Sequence, residues 1–229
     1  MRSYLSHLEC THCGVTYSAE EPHRTCDACG KVLYARYDLP HLRREFNRKA
    51  IASRPAAMWR YYEVMPMRHE ENVVSLGEGM TPLIHARNLG KQLGCPRLYI
   101  KDESGNPTGS FKARGMSAAV SKAKELGLRK LTVPSAGNAA GAMAAYCAAG
   151  GMEAHVFMPK DAPRANQQEC VDAGAHLTLV DGLISDAGRI SRERATKEGL
   201  FDVSTLQEPY RAEGKKTMGY ELAEQLGWR

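Results

Sequence analysis

The chain has 229 residues, 43% of them hydrophobic and 25% charged, with a formal net charge of +5. That composition supports a buried core and excludes wholesale disorder. The longest uncharged stretch, 131–152, carries Pro134, Ser135, Asn138 and four glycines and is too weakly apolar for a membrane span, and the opening MRSYLSHLECTHC lacks the apolar core of a secretory signal.

The first element is a cysteine module over residues 1–38. Cys10 and Cys13 form one Cys-x-x-Cys pair, Cys26 and Cys29 a second, twelve residues on. Each pair aims two thiolates at one point, and two pairs close a tetrahedral S4 shell that suits Zn²⁺. Gly14 and Gly30 follow the pairs, where the chain turns around the metal. Four thiol ligands leave no open position, so the metal is expected to be structural. A redox dithiol and iron in the same shell are the alternatives, and His12 and His23 are read as solvent-facing loop residues. Seven cysteines, an odd number, argue against a disulfide scaffold and for a reducing, cytoplasmic setting. Residues 1–60 carry ten Lys/Arg against six Asp/Glu, but no run of five basic residues, which disfavours nucleic acid as a partner.

Residues 39–65 read as an amphipathic connector, with Leu42, Phe46, Ala50 and Ile51 at helical spacing and Pro55 interrupting the run. Residues 75–85 form a loop leading into a strand. From residue 98 a strand–helix alternation begins: a strand at 98–100, a turn-rich loop over 103–110, and a helix over 111–126 with Met116, Ala119, Val120, Ala123 and Leu126 on one face. Strands follow at 130–133, 154–158, 177–180 and 201–203, with helices at 139–149, 165–173, 186–198 and 210–226. This order predicts an α/β fold, a three-layer parallel sheet with crossover helices.

Two loops carry the chemistry. The first, 103–112, ends in Lys112 at the start of a helix. It is not a Walker A loop, because its glycines are four apart and Phe111 precedes the lysine. A helix N-terminus disfavours a protonated amine, and a neutral lysine is a nucleophile for aldehydes. Phe111 offers an aromatic wall. From these residues alone, an exposed surface lysine is the favoured reading and the nucleophile the alternative. The second loop, PSAGNAAG over 134–141, joins a strand to a helix, where backbone N–H groups bind anions. It lacks the Gly-x-Gly-x-x-Gly spacing of a dinucleotide site, and an ordinary cap by Ser135 or Asn138 is its alternative reading.

NPTGSFKARG and SAGNAAGA together, with GEGMTPL (77–83) ahead of them, resemble the fold-type II pyridoxal-phosphate enzymes, and within these the threonine synthases that begin with a zinc-ribbon-like segment. The resemblance implies that Lys112 bonds the cofactor aldehyde and later acts as acid and base. It implies that Phe111 and Asn138 contact the cofactor, Asn138 at its ring hydroxyl. It implies that Ser135, Ala136, Gly137 and Ala139 cradle a substrate carboxylate, with Thr81 near the cleft, and that Cys10, Cys13, Cys26 and Cys29 hold structural zinc. The implied organisation is a zinc ribbon (1–38), the first part of a large domain (39–112), a small α/β domain (113–205) and a return to the large domain (206–229). The implied reaction converts O-phosphohomoserine and water to threonine and phosphate, with a small amino-acid substrate, no membrane partner and room for a homodimer of the full-length protein. The family's glycine-rich phosphate cup has no counterpart here, since the chain lacks a run of three glycines. The chain is therefore expected to be an N-terminal fragment, inactive by itself. Threonine or serine dehydratase, cysteate synthase and diaminopropionate ammonia-lyase are the alternatives, and a zinc-ribbon adaptor with a silent α/β domain is a further one.

Overall fold

In the computed structural model, which describes residues 2–228, the cysteine module is a three-stranded antiparallel sheet. β1 (Leu5–Cys10) lies between β2 (Thr16–Tyr17) and β3 (Leu33–Tyr37). Residues 1 and 229, the outer ends of the first and last segments expected above, lie outside the described residues. Leu5, Leu8 and Leu33 build the ribbon's small core together with Cys10, Cys26 and Tyr210, the last contributed by the C-terminal helix.

The connector is not one amphipathic helix. It breaks into α1 (Leu39–Glu45), α2 (Arg48–Ala52) and a 3₁₀ segment, Met58–Val64. The break has a local cause: the Asn47 side chain accepts from the backbone N–H groups of Lys49 and Ala50 and so starts a new helix. Leu42 and Ile51 are buried as their spacing predicts, but Ala50 is exposed, and most of the anchoring falls to Met58, Tyr61, Tyr62 and Val64 of the 3₁₀ segment.

β4 (Leu83–His85) and β5 (Tyr99–Lys101) pair antiparallel, with α3 (Arg87–Gln92) and a left-handed Gly94 (φ +68°) reversing the chain between them. The strand expected at 98–100 therefore exists one residue later, in a two-stranded ribbon outside the main parallel sheet. Ile84, Tyr99 and Ile100 of this ribbon are exposed.

The body follows the predicted alternation: α4 (Lys112–Glu125), β6 (Lys130–Pro134), α5 (Asn138–Gly150), β7 (Glu153–Pro159), α6 (Arg164–Asp172), β8 (His176–Val180), α7 (Ile184–Glu198), β9 (Phe201–Asp202) and α8 (Tyr210–Gln225). The four strands are parallel in the order β8-β7-β6-β9. Side chains alternate between the two faces. Ala154, Val156 and Met158 join Met116, Ala119, Ala140 and Met143 of α4 and α5, whereas Phe157 faces Val180 and Ala187 on the α7 side. Three layers result. Among the described residues no helix is long and apolar enough to cross a membrane.

Two glycines let α4 and α8 close on one another. A Cβ on Gly214 would run into the Arg114 carbonyl, and one on Gly115 would lie 3.1 Å from the Arg211 carbonyl oxygen. This approach brings Arg211 and Lys215 beside the start of α4.

Candidate active site and cysteine centre

Lys112 is the first residue of α4. Its Nζ lies 4.1 Å from the centre of the Phe111 ring, and the Lys215 Nζ lies 5.6 Å from the same ring. Partial burial, helped by the Arg211 charge, pushes the Lys112 amine below the usual lysine range, toward its nucleophilic form. Arg211 is 2% exposed; its Nη1 donates to the Val203 carbonyl, while its Nε and Nη2 have no partner among the described residues. The Thr108 hydroxyl, in the lysine loop, is likewise buried without a partner. The buried carboxylates of Glu208 and Asp202 act on the Arg211 charge from close by.

The second loop leaves β6 and enters α5. Its N-cap is Gly137, and no described side chain caps the helix. The Ser135 hydroxyl accepts from the N–H of Gly137, at the turn before the helix (3.3 Å), and the side chain of Asn138 does not cap it, so the amides of Asn138 and Ala139 remain available to a ligand. Gly137 has an extended backbone (φ −163°), so its value lies in the absence of a side chain rather than in a left-handed turn. Asn138 is exposed; Ser135, Ala136 and Ala139 are half-buried. The Asn166 side chain of α6 donates to the Ala136 carbonyl and fixes the loop from behind (3.0 Å). Ala113 of α4 and Ala140 of α5 share one core with Ala136 and Ala139 packed at its edge, so the two motif helices start side by side.

Thr81 is 4% exposed, and its hydroxyl donates to Glu103 (2.6 Å) and accepts from Arg114 (3.2 Å). The structure thus sets it inside a buried ionic network. Arg114, fully buried, spans Glu103 (Nε–Oε2, 2.6 Å) and Glu221 of α8 (Nη2–Oε2, 2.8 Å), and Lys101 reaches Glu221 at 2.7 Å. Against the cost of burial, the Arg114 guanidinium holds both carboxyls below the usual carboxylate range. A second buried carboxylate, Glu78, accepts from Trp59 Nε1 (3.0 Å), the Ser117 hydroxyl (2.6 Å) and the Tyr146 hydroxyl (2.6 Å). Gly79, at φ +102°, passes so close to Met58 that a Cβ would meet its backbone. Glu78 and Gly79 belong to GEGMTPL, and Arg114 to FKARG. Sequence reasoning quoted these residues as parts of motifs without seeing that they brace the lysine loop.

At the cysteine centre, Cys10 and Cys29 Sγ are 3.4 Å apart, Cys13 and Cys26 3.5 Å, and Cys13 and Cys29 3.6 Å. A zinc ion with bonds of about 2.3 Å needs tetrahedral sulfurs roughly 3.8 Å apart, so the four thiols fit it with little movement. The Tyr17 hydroxyl, 3.1 Å away, draws the Cys26 thiol down to about 6, which favours the ligating thiolate. Backbone N–H groups of Cys13 and His12 lower Cys10 in the same way. Cys147 is sealed in the α5 core, where burial pushes its thiol up to about 12 and makes it inert.

A family model described as "Pyridoxal-phosphate dependent enzyme" matches residues 74–229. A threonine synthase of Methanocaldococcus jannaschii is 36% identical over 96% of this chain and 54% of its own length. A threonine synthase of Methanosarcina acetivorans is 34% identical over 98% of this chain and 55% of its own length. The chain thus spans about half the length of the curated relatives it matches. Among solved structures, maize serine racemase superposes with a TM-score of 0.60 at 26% identity, over 64% of this chain and 45% of that one. The processed form of threonine deaminase isoform 2 from Solanum lycopersicum superposes with a TM-score of 0.58 at 27% identity, over 63% of this chain and 40% of that one.

Proposed function

The chain belongs to the pyridoxal-phosphate-dependent enzymes, and on that premise we propose that the whole protein is a threonine synthase, converting O-phosphohomoserine and water to threonine and phosphate. The observation that carries the choice of substrate is the likeness to threonine synthases over almost the whole chain, the cysteine module included, at 36% and 34% identity. The second reading, a dehydratase, rests on the likeness to threonine deaminase.

The residues present fit the aldehyde end of pyridoxal phosphate: an activated amine at Lys112, a ring wall at Phe111, and Asn138 to meet the ring hydroxyl. When bound, the cofactor supplies the electron sink for negative charge at the substrate α carbon. The chain's own residues do the rest. Lys112 would hold the group, and its Nζ, freed once the substrate amine takes over that bond, would take and return protons at the α and β carbons. In the 135–139 turn the backbone N–H groups of Ala136, Asn138 and Ala139 bind the α-carboxylate, while those of Ser135 and Gly137 are held by the Phe157 carbonyl and the Ser135 hydroxyl. Thr81 acts from behind, fixing Glu103 and Arg114 and so the loop that carries the lysine. The four cysteines hold structural zinc. All seven cysteines are unbridged, which suits the cytoplasm.

The activity is that of the whole protein, and the 229-residue chain alone is expected to turn over poorly. The test is to supply the full-length enzyme with O-phosphohomoserine and, separately, with threonine. Phosphate and threonine from the first support the reading; ammonia from the second, with no phosphate release from the first, favours the dehydratase.

A further inference from the structure

We propose that Glu153, His155 and His176 form a second metal site, for a divalent first-row transition cation, at the end of the parallel sheet away from the lysine. The three ligating atoms lie within 4.8 Å of one another. Their placement follows from the sheet. Glu153 and His155 are two apart on β7 and so share a face, and His155 is the register partner of His176 on β8. The imidazoles stack at 4.7 Å between ring centres, 28° from parallel, and His155 Nε2 is 3.4 Å from the Glu153 carboxylate. Two backbones locked in one ladder hold the donors, so only side-chain rotation separates this arrangement from a bound one. Zinc bonds of about 2.0–2.2 Å need the donors to close to roughly 3.3 Å, a movement of about 1 Å.

The surroundings favour a cation. The cluster faces α7, which ends at Glu198. A helix C-terminus is negative, and the Glu198 carboxylate acts electrostatically on His155. The charged groups facing the cluster are Glu198, itself paired with Arg194, and Lys130, whose Nζ is 3.6 Å from Glu153. Lys130 and Glu153 are both about half exposed, so that pair is weak and yields to a metal. The His155 side chain is 12% exposed, so its ring is held between the strands and reaches solvent only at the cluster. Two imidazole nitrogens and one carboxylate oxygen select zinc, cobalt, nickel or copper over magnesium or calcium. Three protein ligands leave the fourth position to water. The site would clasp β7 to β8 and is separate from the four cysteines of the ribbon.

Cobalt(II) distinguishes the two centres, because thiolate ligation gives an intense near-ultraviolet charge-transfer band and imidazole–carboxylate ligation does not. Metal-free chain titrated with cobalt should bind one equivalent with the thiolate band and one without it. His155→Gln and His176→Gln should each weaken the second equivalent about tenfold or more and leave the first intact. Cys10→Ser should do the reverse, and His85→Gln, in β4 and outside both clusters, should change neither. His176 is exposed, so His176→Gln folds and decides the matter should His155→Gln not. Absence of cobalt binding outside the thiolate set, or a second equivalent indifferent to His176→Gln, overturns the proposal.

Discussion

Within the ribbon, residues 5–37, the buried apolar core amounts to three leucines, Ala19, two of the cysteines and a borrowed Tyr210. In the body, four parallel strands lie between helices lined with alanine, methionine and glycine, and two buried carboxylate networks, one around Arg114 and one around Glu78, lock α4 to the chain before and after it. The ribbon depends on its four thiols; the body depends on close packing and satisfied buried charge. A segment as short as the ribbon cannot bury enough surface to hold its fold alone, whereas the body can. The two meet where Tyr37 donates to Glu213 (2.6 Å) and Arg24 pairs with Asp202 (3.2 Å), one on α8 and one on β9. The cysteine end of the molecule therefore rests on the same helix that carries Arg211 and Lys215 to the lysine.

This contrast can be broken at several points. The largest effect should come from Lys112→Ala in the full-length enzyme: turnover should fall by about 10³-fold or more, with the thermal midpoint and zinc content unchanged, since the side chain is bound into neither network. Arg114→Met should come next. It leaves Glu103 without a cation and Glu221 with Lys101 alone and should cost the body about 3 kcal/mol in urea unfolding, while the ribbon is unaffected. Cys26→Ser should do the opposite, lowering zinc content and opening the amides of β1 to β3 to hydrogen exchange before those of β6 and β7. A smaller effect is expected from Tyr37→Phe. Losing its bond to Glu213 should cost about 1 kcal/mol and raise exchange at the ribbon–α8 contact alone. Smallest is a pH effect at Lys112: because burial and Arg211 lower its amine, its acylation rate should reach half-maximum below the free-lysine value of about 10.4, and Arg211→Met should move that midpoint upward.

Much of this contrast was legible in the sequence. The Cys-x-x-Cys pairs stand out because ligand spacing is set locally, and the strands and helices after residue 111 follow the strand–helix alternation and glycine punctuation of the sequence. Lys112 and Asn138 were visible as motif residues. What periodicity could not carry was long-range. Arg114 and Glu221 are 107 positions apart, and nothing local links them. The Met58–Val64 segment has no helical period because it is a 3₁₀ turn, and it was read only as connector. Arg211 looked like any arginine in the first turn of a helix; only the approach of Gly115 to α8 places it beside the lysine. Thr81 was read toward the cleft from its motif, and its hydroxyl turns out to be engaged by Glu103 and Arg114.

The central claim is that Lys112, and no other lysine, bonds the cofactor. Borohydride reduction of the full-length enzyme with bound pyridoxal phosphate, followed by peptide mass mapping, tests it directly. Lys122 is fully buried against Glu125, and Lys101 is tied to Glu221; neither amine is free to react. The pyridoxyl group should therefore appear on the peptide containing Lys112 and vanish in Lys112→Ala. A label on Lys215, Lys101 or Lys122, or one that survives Lys112→Ala, would contradict the account.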